Sequence, residues 1–168
     1  RVKHMGLAEV PGYFSDFTGS INYDAADTTK SSVEFTAKAT SINTGNEGRD
    51  KHLRSADFFE VEKYSDITFK STKIEKRGNN ILATGDFTMK GVTKQIQLPV
   101  TFNGMMKHPR NGSILMGFSI ETVINRRDYG INYGNTLPSG IASLSDDVKI
   151  NLQIEAAKAA PKPAETAK

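Results

Sequence analysis

The sequence predicts an all-β fold of about eight antiparallel strands, interrupted by a single short helical segment. Three observations predict it. Apolar and polar residues alternate with a period of two through most of the 168-residue chain. Clusters of Gly, Asn and Pro punctuate the alternating stretches at near-regular spacing. One segment alone, near residues 49–59, departs from the period. Strands with one apolar face must cover it, either by closing into a barrel or by pairing as a sandwich. The pattern alone does not choose between them.

Taken in order, Arg1 to Ala8 reads as the end of a first strand, with Val2 and His4 in phase and Gly6 permitting a turn. Tyr13 to Asp24 reads as a strand after the Pro11-Gly12 break. Ser32 to Ser41 alternates cleanly, with Val33, Phe35, Ala37 and Ala39 on one face. Two alanines there leave space that larger side chains would fill, or accept a large neighbour. Between Arg49 and Phe59 the solvated residues Arg49, Asp50, Lys51, His52 and Arg54 stand against Leu53, Phe58 and Phe59. Leu53 lies five residues before Phe58, so the helix must break near Ser55 or Ala56 for both to reach one core.

The period then returns to two. Ile67 and Phe69 lie on one face of a strand to Glu75, and Arg77-Gly78-Asn79-Asn80 is a hairpin signal. Ile81, Ala83, Gly85, Phe87 and Met89 form the returning face. After the Gly91 turn, Ile96, Leu98, Val100 and Phe102 alternate with polar residues, and Pro99 requires an edge or a bulge. A connection over residues 104–112 leads to Ser113–Ile124, with Phe118 and Ile120 on the apolar face. A loop-rich crossing follows, where Arg126, Arg127 and Asp128 are expected to form a charged pair that pins it. Asp147–Ala156 is the last strand, with Val148, Ile150, Leu152 and Ile154 inward. Residues 157–168 are Ala, Lys, Pro, Glu and Thr, a composition expected to be disordered.

Composition removes several function classes. The chain has no cysteine, which excludes a disulfide scaffold and thiolate chemistry. No run of about 18 apolar residues could span a membrane as a helix. The net charge is +3, and its basic clusters, Arg49/Lys51/Arg54 and Lys73/Lys76/Arg77, are too short for a nucleic-acid face. Only His4, His52 and His108 offer imidazole, at no metal-ligand spacing. No nucleophile elbow or phosphate loop occurs. Asp50 and Asp57 suit capping and surface pairing better than acid catalysis. No catalytic residue, metal ligand or cofactor is therefore expected.

Five stretches carry a resemblance. They are KHMGLAEVPGYFSDFTGSI (3–21), SINTGNEGRDKHLRSADFF (41–59), GDFTMKGVTKQIQLPVTF (85–102), INRRDYGI (124–131) and DDVKINLQIEA (146–156). In this order they resemble the YceI-like family of periplasmic lipid- and polyisoprenoid-binding proteins. The resemblance implies an eight-stranded lipocalin-like barrel over residues 1–156, periplasmic or secreted, holding a long-chain isoprenoid, an isoprenoid quinone or a fatty amphiphile. It also implies frequent homodimers. Members usually carry a leader and an extended segment before the KHMG motif, so the first strand here is expected to be incomplete. The sequence departs from the family pattern at Ser65, Lys90 and Gln95, which weakens a head-group site near Lys90 to Gln95.

Under the resemblance, the inward residues Ile21, Val33, Phe35, Ala37, Ile67, Phe69, Phe87, Leu98, Val100, Phe118 and Ile120 would line an apolar pocket. Leu53, Phe58 and Phe59 would stand near its mouth, with His4 and Arg54 as head-group candidates. Two other readings remain open: an interaction protein of stress physiology whose barrel is solid, and an enzyme acting on an apolar substrate through His4 or Asp57.

Overall fold

A computed structural model describes residues 1–78 and 80–158. Eleven strands and one α-helix follow one another as β1 (Val2–His4), β2 (Ala8–Val10), β3 (Tyr13–Phe14), β4 (Phe17–Asn22), β5 (Ser32–Lys38), β6 (Ile42–Asn43), α1 (Glu47–Arg54), β7 (Asp66–Arg77), β8 (Asn80–Met89), β9 (Val92–Lys107), β10 (Ile114–Asn125) and β11 (Leu144–Ala157). Nine strands form one antiparallel sheet in the order β2-β1-β11-β10-β9-β8-β7-β5-β4. β3 and β6 form a separate ribbon. The sheet curls into a lipocalin-like half-barrel. Among the described residues its outer strands, β2 and β4, do not pair with each other.

The expected antiparallel fold is present, with a slightly different strand count. The first strand continues through a turn at Met5–Leu7 into β2, so it forms a hairpin. The expected strand Tyr13–Asp24 is two strands. β3 leaves the main sheet to pair with β6, and the Ser15 and Asp16 amides donate to the Ser41 carbonyl and hydroxyl. Alternation marks a face but not a change of partner. β9 runs on to Lys107, past the expected loop start, because Gly104 at φ 129° accommodates a bulge at Asn103. β11 begins at Leu144 and includes Ala157, and the Lys158 amide still donates to the Ile114 carbonyl. The rest of the expected disordered tail, 159–168, lies outside the described residues.

The helix is shorter and earlier than expected. Asn46 Oδ1 accepts from the Arg49 amide as N-cap, and Ser55 ends the helix in extended geometry. The break therefore falls at Ser55, where the Leu53–Phe58 spacing requires one. Pro99 lies in a central strand, yet the β9–β10 ladder stops at Val100↔Ile120, its next residue. The proline thus stands at the margin of that ladder.

A second bulge sharpens the curl. Ser71 pairs with Gly85 but Lys73 with Thr84, leaving Thr72 extra. This brings the inward phase from Phe69 to Ile74, both buried. Opposite the bulge the chains approach closely. A Cβ on Gly85 would lie 2.4 Å from the Lys70 carbonyl oxygen and 2.8 Å from the Ser71 Cα. Backbone cannot move aside as a flexible side chain can. Gly85→Ala is expected to cost about 1–3 kcal/mol, measured as a lower urea midpoint. A wild-type midpoint would mean that β7 and β8 can part there freely.

Candidate functional site

The inner faces of the curled sheet border a broad, open trough. Alternation places the residues there, and the two bulges keep the apolar phase inward as the strands bend. The apolar side chains divide into two groups. Toward the α1 end, Ile67, Phe69, Phe87, Met89, Leu98 and Ile120 are buried among one another. Between and beyond them, Val33, Phe35, Ile81, Ile96, Val100, Ile150, Leu152 and Ile154 face the same interior and pack against that cluster but remain only half-buried, while Ile74, Ala83 and Phe118 further along are buried. A filled core would bury them as it buries Tyr129, which is 2% exposed. These residues pack against the core on one side and border the trough on the other.

The α1 end is floored. α1 lies against β6, and the segment after it sends Phe58, Phe59 and Val61 into the core. Phe59 meets Phe14 edge-on at 5.6 Å. Phe58 packs with His52 and Tyr133 at 5.0 and 4.9 Å between ring centres. His52 Nε2 stands 2.8 Å from Asp57 Oδ2, the one His–carboxylate pair among the described residues. Asp50, expected to be solvated, is buried. Its Oδ1 accepts from the Thr44 amide at 2.9 Å and the Thr44 hydroxyl at 2.5 Å, which ties the helix to the loop before it.

The crossing segment between β10 and β11 is pinned by Arg126, but not in the expected pairing. The Arg126 guanidinium is buried and donates to the carbonyls of Ile131, Tyr133 and Ser145 at 2.8, 2.7 and 3.0 Å. Asp146 Oδ1 accepts from both Arg126 at 3.0 Å and Arg127 at 2.6 Å. Asp128 instead pairs with Lys94 at 3.3 Å. Burial pulls the Arg126 group below the usual guanidinium range, and the Asp146 charge opposes that pull. The network holds Tyr133 over Phe58 and Ile131 in the floor.

All fourteen apolar candidates border the trough: Ile21, Val33, Phe35, Ala37, Leu53, Phe58, Phe59, Ile67, Phe69, Phe87, Leu98, Val100, Phe118 and Ile120; Leu53, Phe58 and Phe59, expected near a mouth, instead pack into its floored end. His4 lies at its edge, exposed, where β1 pairs with the start of β11. Arg54 does not line it. Its guanidinium donates to the Thr40 and Ile42 carbonyls at 2.7 and 2.8 Å and closes α1 onto β6, so it is unsuited to a head group. The candidate set omitted Tyr133, whose loop has no periodicity to betray it. It also omitted Met105, which turns inward beside Met116 only because of the bulge at Asn103. Among the described residues, no three His, Cys, Asp or Glu side chains gather as metal ligands, and no helix is long and apolar enough to cross a membrane.

The model of the YceI-like domain family matches residues 1–156. The UPF0312 protein SA2479 of Staphylococcus aureus strain N315 is 36% identical over 155 residues, 92% of this chain and 88% of that protein. In structure, the chain resembles the Campylobacter jejuni YCEI protein with a TM-score of 0.82 and 34% identity, covering 95% of this chain and 91% of that one. It also resembles Burkholderia cenocepacia BcnA with a TM-score of 0.79 over 92% of each chain. At 23% identity this last likeness concerns the fold alone.

Arg126→Ala would leave the loop carbonyls and Asp146 without their donor. Removing one partner of a buried charged network costs about 3–5 kcal/mol. Urea unfolding is expected to read a loss in that range. A loss below about 1 kcal/mol would mean that apolar packing holds the crossing segment by itself.

Proposed function

The chain belongs to the YceI-like family, and we propose that its trough holds a single long apolar chain: an isoprenoid such as a polyprenyl lipid or isoprenoid quinone, or a fatty amphiphile. One observation carries the reading. Along much of the trough the inward aliphatic side chains are half-buried around open space, where a solid core would bury them. Empty apolar lining is a standing source of binding free energy. Each CH₂ withdrawn from water contributes about 0.8 kcal/mol, offset by the ordering of the ligand's torsions. The apolar lining runs along the strands from Ile67 to Ile81 and Val100, which favours an extended ligand over a compact one.

The role is binding, with carriage or storage of the bound lipid as its use, rather than catalysis. His52 and Asp57 face each other at the floor and are accounted for by packing and pairing. His4, at the trough's edge, is the remaining head-group candidate. The proposed setting is extracytoplasmic, where such a carrier would move an insoluble chain through water, as a monomer or a homodimer.

Native mass spectrometry followed by solvent extraction tests the proposal and also reads the oligomeric state. A stoichiometric long-chain adduct is expected. Phe35→Asp is expected to abolish retention in a folded protein, because it sets a charge on the apolar wall. Retention by that folded variant would rule out the assigned pocket. Val100→Phe separates a hollow trough from a solid core. In a filled core such overpacking costs about 1–3 kcal/mol. Here little change in the unfolding midpoint is expected, together with a reduced capacity for the longest chains. A full overpacking loss would favour the solid-core reading.

A further inference from the structure

The end of the trough away from α1 differs from the floored end. All main-sheet neighbours are antiparallel, so the turn after Arg77, the β9–β10 hairpin and the end of β11 lie together there. The β8–β9 ladder stops at Asn80↔Thr101, yet β9 continues to Lys107. Six more residues at about 3.4 Å each carry β9 roughly 20 Å beyond its neighbour. The hairpin, with the end of β11 paired along it as far as Ala157, projects past the end of β8 as a flap and exposes apolar side chains: Met105 is 61% exposed, Met106 59% and Phe102 39%. Phe102 and Met105 also line the trough. The flap's apolar face therefore runs on without interruption into the interior.

The charge at this end is one-sided. Lys107 and Arg110 lie in the hairpin tip, and Lys76 and Arg77 at the neighbouring turn. None of the four is in an ion pair among the described residues. The nearby carboxylates are engaged. Asp24 and Asp27 accept from their own turn, and Glu75 pairs with Lys73 at 3.1 Å. Glu155 on β11 is exposed and is the one acidic neighbour left on the flap. The tip is also ordered: the His108 amide donates to the Ser113 carbonyl, and Asn111 Oδ1 accepts from the Ser113 amide and hydroxyl.

We propose that the β9–β10 hairpin docks onto an anionic lipid bilayer, with Met105 and Met106 entering the interface and Lys107 and Arg110 against the headgroups. Charge complementarity selects this occupant: unpaired cations flanking exposed thioether and aromatic side chains are what an anionic interface takes up. The inference rests on the lipid-holding reading and extends it. A docked flap would let an apolar tail pass from bilayer to trough along Phe102 and Met105 without crossing water.

The test is flotation with vesicles of phosphatidylcholine alone, or of equal parts phosphatidylcholine and phosphatidylglycerol. A soluble fluorescent fatty acid, titrated in the absence of vesicles, reads filling of the trough separately. The wild-type chain is expected to float with the anionic vesicles only, and to be released by salt. Lys107→Glu with Arg110→Glu is expected to weaken flotation at least tenfold, and Met106→Ser severalfold, while both variants still take up the fatty acid, because none of the three side chains lines the trough. These positions are exposed, and uptake itself reports the fold. Failure of the wild type to float on anionic vesicles, or undiminished flotation of the charge-reversed variant, overturns the docking proposal even where the trough fills. Self-association that Met106→Ser abolishes, without vesicle binding, assigns the flap to a second copy and also overturns it. Loss of fatty-acid uptake by the wild type would instead strike the lipid-holding reading.

Discussion

Every long strand of this chain carries one apolar face, and a single sheet has nothing of its own to lay against it. Curling is how the sheet shields that face from water. The rest of the architecture follows from how the curl is produced and how its ends are treated. Bulges at Thr72 and Asn103 bend the strands and reset the inward phase, so Ile74 and Met105 turn inward where strict alternation would turn them out. Gly85 is fixed by the same bend, because no side chain fits where the strands press together.

Polar groups do the holding at the floored end. Asp50 fastens the helix to Thr44, Arg54 draws it onto β6, and Arg126 gathers the crossing segment around one guanidinium. Asp50 and Arg54 lie outside the trough, and Arg126 borders it only at the floor. Each satisfies backbone groups that a buried loop would otherwise leave unpaired. The charges at one end thus serve rigidity, while Lys107 and Arg110 at the other end have no ion pair among the described residues. The asymmetry separates a closed base from a rim open to contact.

The strands and their inward faces were legible because period two is a local property. Ile67, Phe69, Leu98 and Ile120 could be assigned from their neighbours alone, and the helix break from the Leu53–Phe58 spacing. Partners were not legible. Asp128 stands beside Arg126 in sequence, yet the guanidinium takes Asp146 from across the crossing loop, since pairing is decided where β11 returns. The ribbon of β3 with β6 was hidden for the same reason. Whether the interior is filled or hollow was also hidden, because alternation is identical in both cases. Arg54 shows the hazard of choosing a head-group residue by charge and exposure in sequence: an arginine next to a short helix can as readily serve the backbone.

The two outer strands complete the picture. A barrel closed all round by a ladder has its girth fixed by strand number and stagger. Here β2 and β4 stand as separate margins among the described residues, so no hydrogen-bond register ties one to the other. The wall behaves as a cuff rather than a pipe. No ladder fixes its diameter there, so under the proposed lipid-holding role selection among guests would follow length and greasiness more than cross-section.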